Sequence, residues 1–268
     1  MVSASLLTLF IHFAPARTLA QAPLSPTQSP AGSHSPAQAQ SLSPTQAQHP
    51  APAQSPGIAA FSIWAPKDAQ RFEAGYRQHL QWHKASGDKW DWYGWLVISG
   101  RHFGQFIDAT FGHSWNDLSR PVDPAGDGAD NDLHTEPFGD YLTGFKVARI
   151  EEASIADTDG LKTRYSRLIT LKTNDLTQAR SVLLRLKERY TGKDGIRNFQ
   201  CFHTIDGGDL NQLILLIGLN DLTQFDHSQN IAADIADIQR SLNAPAITEI
   251  NSELLLYKKE MSLFARDR

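Results

Sequence analysis

The sequence predicts an α+β protein built from two tandem β-α-β-β-α-β units that form one pseudo-dimeric α/β barrel. Three observations predict it. Core-forming residues are confined to 58–268. That stretch runs through the same order of elements twice. Its strands carry large apolar groups on both alternating faces, whereas a sheet wet on one side alternates polar and apolar residues. About 210 residues suffice for a sizeable core.

The first unit, 58–155, opens on the short strand Phe61-Ser62-Ile63-Trp64. Pro66 and Asp68 then start a helix over about 67–85, with Phe72, Tyr76, His79, Leu80 and His83 on one stripe, and Gly87 ends it. Trp92–Ser99 and Phe103–Phe111 read as a hairpin around Ser99-Gly100-Arg101-His102. A helix start at Trp115-Asn116-Asp117-Leu118, a polar loop and a strand over Phe145–Ile150 complete the unit. The second unit, 156–268, reads in the same order. It has a strand at Tyr165–Leu171, a helix at Asp175–Tyr190 and a hairpin of Asn198–Ile205 with Leu213–Leu219. A helix at Leu222–Leu242 and a strand at Glu253–Phe264 close it. Asn116-Asp117-Leu118, Asn174-Asp175-Leu176 and Asn220-Asp221-Leu222 recur at helix starts, where Asn and Asp satisfy free backbone N–H groups. Two such units make a ferredoxin-like pair, each with helices on one face of a four-stranded sheet; the other faces must cover one another.

Two N-terminal segments lack this character. Residues 1–20 hold the apolar run Leu6–Phe13, followed by small residues at Thr18-Leu19-Ala20 and Ala20-Gln21-Ala22. They read as a signal peptide, although no Lys or Arg precedes the run. Residues 21–57 read as a disordered linker: 29 of 37 are Pro, Ala, Ser or Gln, and Leu-Ser-Pro-Thr-Gln occurs at both 24–28 and 42–46. The expected location is periplasmic or secreted. No apolar run reaches the ~18 residues of a membrane span. The net charge of −4 supplies no basic excess for nucleic acid. The single cysteine, Cys201, excludes a disulfide scaffold and is expected to be a buried, inert thiol.

Chemistry-bearing residues concentrate in the first unit. All six tryptophans fall between Trp64 and Trp115, which suggests a pocket for a small apolar or aromatic ligand. The candidate binding residues are Tyr76, His79, His83, Trp92, Tyr93, Trp95, Asp108 and Trp115. His79 and His83 share a helix face at i,i+4 spacing and could share a metal. No Glu follows His79, so the zinc-protease motif is absent; a hydrogen-bonded pair is the stronger expectation and no metal centre is assigned. Asp108 lies in an apolar strand. Burial would raise its pKa unless Lys146 or Arg149 pairs with it, and a desolvated carboxylate can accept a proton. The loop 119–141 carries six acidic residues against Arg120. Its Asp127-Gly128-Ala129-Asp130-Asn131-Asp132 does not follow the EF-hand spacing, and a solvated, mobile loop is expected, with a lid over the Trp-rich side as a further role open to it. No nucleophile elbow or phosphate loop occurs, so no catalytic set is assigned.

Trp92-Tyr93-Gly94-Trp95, Ser99-Gly100-Arg101-His102-Phe103-Gly104 and Phe111-Gly112-His113-Ser114-Trp115-Asn116-Asp117-Leu118 resemble the dimeric α/β-barrel superfamily, which includes antibiotic-monooxygenase-like and NIPSNAP-like proteins. The resemblance covers mainly 61–150. It implies either a cofactor-free monooxygenase-like activity or a haem-handling one with His79 or His83 at the cofactor, although no cofactor is expected from the residues themselves. An interaction module with no small-molecule site is the third expectation. A chain that carries both units needs no second copy to complete the barrel, so a monomer is expected.

Overall fold

The computed structural model describes residues 57–155, 160–193, 196 and 198–267; the expected signal peptide and all of the linker except Gly57 lie outside them. In the first half, β1 (Ile58–Pro66), α1 (Ala69–Ala85), β2 (Trp92–Ser99) and β3 (Phe106–His113) precede α2 (Trp115–Leu118), α3 (Pro124–His134) and β4 (Gly139–Arg149). The second half contains β5 (Tyr165–Thr173), α4 (Leu176–Tyr190), β6 (Asn198–Asp206), β7 (Gln212–Leu219), α5 (Ile231–Leu242) and β8 (Ile247–Tyr257).

All eight strands pair antiparallel in one closed barrel, in the order β1-β3-β2-β8-β5-β7-β6-β4. Read within each half, the order is β4-β1-β3-β2 and β8-β5-β7-β6, the same arrangement twice. The halves join edge to edge, β2 on β8 with Trp95 opposite Tyr257, and β4 on β6 with Ala148 opposite His203. Among the described residues, closure leaves no barrel strand without a neighbour on either side.

The two-faced strands follow from this. Phe61, Trp95, Val97, Ile107, Val147, Leu216 and Leu255 fill the barrel. Leu213, Leu215, Ile217 and Leu219 face outward and pack with Ile169, Leu183, Leu186 and Ile235 beneath α4 and α5. In the first half, α1 packs Phe72, Tyr76 and Leu80 on Trp64 and Phe106, joined by Met261 and Leu263 from the C-terminal segment. Cys201 is fully buried beneath α4, and burial pushes its thiol well up, as expected of an inert thiol. No described helix is long and apolar enough to cross a membrane.

Four expectations are corrected. The hairpin strand starts at Phe106, not Phe103, because Gly100 and Gly104 take positive φ (111° and 86°) and widen the turn. The expected loop 119–141 contains the helix α3 and the start of β4: Asp123 caps α3, Pro124 stands in its first turn, and it docks on α1. The single helix expected over 222–242 is a 3-10 turn, Leu222–His227, followed by α5. The break lies at Ser228, whose carbonyl accepts from the Arg167 guanidinium. The last strand is Ile247–Tyr257, so Glu253–Phe264 is displaced; beyond it Leu263 makes only a bridge to Trp92.

The capping logic is also refined. Asp175 does cap α4, accepting from the Gln178 N–H at 3.0 Å. At α2 the cap is Ser114, and Asp117 closes the reciprocal bond to the Ser114 N–H. Asp68 caps α1 by accepting from the Arg71 N–H at 3.1 Å. Asp68→Ala and Asp175→Ala are each expected to lower stability by about 1 kcal/mol, measured by urea unfolding; no loss in either variant would refute the capping role.

Candidate functional site

The site lies outside the barrel, between the outer face of β1–β3 and the helices α1 and α3. Alternation along β3 turns Phe106, Asp108 and Thr110 outward while Ile107 and Ala109 face the interior. The stripe on α1 lays Tyr76, His79 and His83 over that face, all three buried. A cleft of about 320 Å³ opens here, walled by Trp64, Tyr76, His79, Trp92, Asp108 and Tyr141 and rimmed by Asp127, Asp132 and Glu136.

Asp108 is 3 % exposed. The Trp64 indole N–H donates to its Oδ2 at 3.0 Å, and the Ser62 and Tyr76 hydroxyls also hydrogen-bond it. Its expected basic partners are engaged elsewhere, Lys146 with Asp206 at 2.6 Å and Arg149 with Glu151 at 3.2 Å. Desolvation therefore dominates and pushes the Asp108 carboxyl up to about 7, against the opposing pull of the three hydrogen bonds. Burial and the neighbouring Asp108 likewise push the Tyr76 phenol well above its ordinary value.

A second network adjoins the first. His79 Nδ1 lies 2.8 Å from Asp130 Oδ2, and His83 Nδ1 lies 3.0 Å from Asp88 Oδ2. The two Nε2 atoms face each other at 3.1 Å, with Asp127 Oδ1 at 3.3 and 3.6 Å from them. Asp88 also accepts from the Trp90 backbone and, at 2.7 Å, from the Trp92 indole. Burial works to raise the Asp88 carboxyl, but His83 and these donors outweigh it and hold it at about 2. Burial lowers the His79 pKa despite its bond to Asp130.

The candidate residues thus fall on two faces of one sheet. Tyr76, His79, Trp92 and Asp108 line the cleft, and His83 sits beneath Trp92 at a ring distance of 4.4 Å. Tyr93 and Trp95 point into the barrel, stacked at 5.7 Å. Trp95 lines a separate cavity of about 310 Å³ with Phe61, Ile107 and Leu216, near Arg101 and Glu253; Tyr93 lines another of about 390 Å³ with Phe111 and Arg149. Trp115 stands 55 % exposed on the surface. Sequence reasoning missed Trp64, Tyr141, Asp88 and Asn131 as parts of the site. The i,i+4 pair Asp127/Asn131 was a usable signal once 124–134 was read as a helix.

No protein-family model matches the sequence, and no curated protein does. Solved structures do match in shape. A presumed monooxygenase from Lactobacillus acidophilus NCFM is 9% identical over 78% of this chain and 97% of its own, with a TM-score of 0.55. An anthrone oxidase-like protein is 9% identical over 78% and 93%, with a TM-score of 0.50. A mutant chlorite dismutase from Candidatus Nitrospira defluvii is 8% identical over 78% and 94%, with a TM-score of 0.51. The likeness is one of fold. The identities are too low to carry over any residue's role.

The histidines do not fit a haem. Axial ligation needs an imidazole nitrogen free to face an iron across an open apolar slot. The Nε2 atoms of His79 and His83 face each other at 3.1 Å and not across such a slot, and the nearest cleft has an acidic rim that would repel haem carboxylates.

Proposed function

We propose that the outer cleft takes a small aromatic ligand bearing an acidic C–H or O–H, and that Asp108 accepts that proton. One observation carries the reading: a buried carboxyl whose pKa desolvation raises to about 7, with aromatic walls around it. Near pH 7 such a group is both substantially ionised and basic enough to take a proton. Trp64, Tyr76 and Ser62 hold the carboxyl in place and donate to it, and Trp92 and Tyr141 offer ring faces and edges to a flat ligand. The reaction class this supports is cofactor-independent mono-oxygenation. Loss of a proton from an activated CH₂ leaves a carbanion that gives its electrons to dioxygen. The CH₂ becomes C=O, one oxygen atom stays on carbon, and the other leaves as water with both hydrogens.

In the same reading the chain is exported, with 1–20 as signal peptide and 21–57 as spacer. The units 58–155 and 156–268 arose by tandem duplication and make a ferredoxin-like pseudo-dimer that works as a monomer. The repeated strand order supports the duplication.

The test is a titration of the full chain with anthrones and related phenols, followed by tryptophan fluorescence and oxygen uptake. Saturable quenching is expected, with turnover that rises with pH through an apparent pKa near 7 because the ionised carboxyl is the base. Asp108→Asn is expected to retain binding and to lose about 10²-fold or more in turnover. Absence of quenching across the panel would favour an interaction module without a small-molecule site. Turnover unchanged in Asp108→Asn would remove Asp108 from the chemistry.

A further inference from the structure

The α1–α3 interface gathers three metal-ligating side chains and a buried amide. Two i,i+4 pairs face each other across it, His79 and His83 on α1 and Asp127 and Asn131 on α3. His79 is anchored through Nδ1 by a hydrogen bond to Asp130, and His83 Nδ1 stands 3.0 Å from Asp88 without hydrogen-bond geometry. A carboxylate accepts, so His79 Nδ1 carries the proton and its Nε2 presents a lone pair; His83 presents a second one from Nε2 in the tautomer protonated at Nδ1, toward Asp88. The two Nε2 atoms face each other across 3.1 Å, and Asp127 Oδ1, a third ligand atom, stands 3.3 and 3.6 Å away. Three acceptors converge where a positive charge is needed.

We propose that His79 Nε2, His83 Nε2 and Asp127 Oδ1 bind one divalent transition-metal ion of the zinc class. A tetrahedral ion with bonds of about 2.0–2.1 Å holds its ligand atoms about 3.3 Å apart, which is the spacing seen here. Two neutral imidazoles with one carboxylate suit zinc, cobalt, nickel or copper; calcium and magnesium want oxygen alone. Asp130 and Asp88 are the outer carboxylates that metal-bound histidines usually carry on their second nitrogen, fixing the ring and raising its basicity.

Asn131 adds an independent sign. Its amide nitrogen lies 3.2 Å from His79 Nε2 and 3.4 Å from Asp127 Oδ1, while its Oδ1 is buried with no hydrogen-bond partner. A half-turn of the amide places that oxygen on the ion as a fourth ligand. Asp127, about one-third exposed at its side chain, gives the ion a path from the cleft. The inference stands whether or not the cleft takes an aromatic ligand.

The experiment uses tag-free full-length protein stripped with a chelator and titrated with cobalt(II). One equivalent per chain is expected, with the intense visible absorption of tetrahedral cobalt, abolished by one equivalent of zinc. Asp127→Ala, a change at the solvent edge, is expected to weaken cobalt binding at least tenfold, and His83→Gln to remove the visible band. Circular dichroism checks the fold of each, and if His83→Gln fails to fold, Asp127→Ala decides. Folded wild-type protein that shows no visible band at equimolar cobalt overturns the proposal. So does a band that Asp127→Ala leaves unchanged in strength and affinity, which would place the ion on histidines elsewhere.

Discussion

Asp108→Asn is expected to stabilise the protein at pH 8, by an amount that shrinks toward zero near pH 4. The unfolded chain releases the Asp108 proton near the ordinary value of about 3.9. The folded protein keeps it to about 7 because the ionised form is desolvated. Between these values the folded state binds more protons than the unfolded state, so this group's contribution to stability falls as pH rises and is flat above about 7. At about 1.4 kcal/mol per pKa unit, the cost at pH 8 is at most roughly 4 kcal/mol. Asparagine carries no such cost and can still accept from the Trp64 indole. His79 and His113, whose pKa values burial holds down, act in the opposite sense, since their protonation favours unfolding as pH falls below about 6.5. Both proteins carry those histidines, so their effect largely cancels in the difference. Urea unfolding of the two proteins at pH 4 and pH 8 measures it. A stability difference that does not move with pH would show that Asp108 is not a raised acid. The same substitution is expected to cost about 10²-fold or more in turnover, so Asp108 would be a residue whose place is explained by chemistry at the expense of stability.

Gly75→Ala should be among the most disruptive single-methyl changes in the first half. A Cβ at Gly75 would lie well inside contact with the His134 carbonyl oxygen and 2.8 Å from its carbon. That oxygen belongs to backbone at the end of α3, so it cannot swing aside as a side chain can. The two helices must separate, which pulls Asp130 from His79 and Asp127 from His83. Overpacking of this kind costs about 1–3 kcal/mol before those contacts are counted. Urea unfolding should show the loss, and the variant should lose the visible cobalt band even where it stays folded. Wild-type stability in Gly75→Ala would mean that α3 does not depend on this close approach.

Much of the fold was legible because periodicity records which side chains leave water. The stripe Phe72, Tyr76, His79, Leu80 and His83 is buried as a set, and the two-faced run Leu213–Leu219 is covered inside and out. Helix α3 was not legible. Gly126, Gly128 and three aspartates give 124–134 poor intrinsic helicity, and its lasting support is the neighbouring α1, to which it is tied by the His79–Asp130 bond. Periodicity placed Asp108 and Tyr93 on neighbouring strands but left open which face of the sheet each would take. Pairing with β1, where Ser62 stands opposite Asp108, turned Asp108 out toward the helices, and Tyr93 turned into the barrel.

The amino-acid order by itself determined the strands and the two long helices α1 and α4, their repeated succession and the faces that must be covered, because those follow from short-range spacing and transfer out of water. Only the tertiary structure decided that eight strands close edge to edge, and that Trp64, Asp88, Asp108 and Asp127, from four separate stretches of chain, converge around one histidine pair. Such convergence depends on which distant segments meet once the barrel is shut, and no local pattern encodes that meeting.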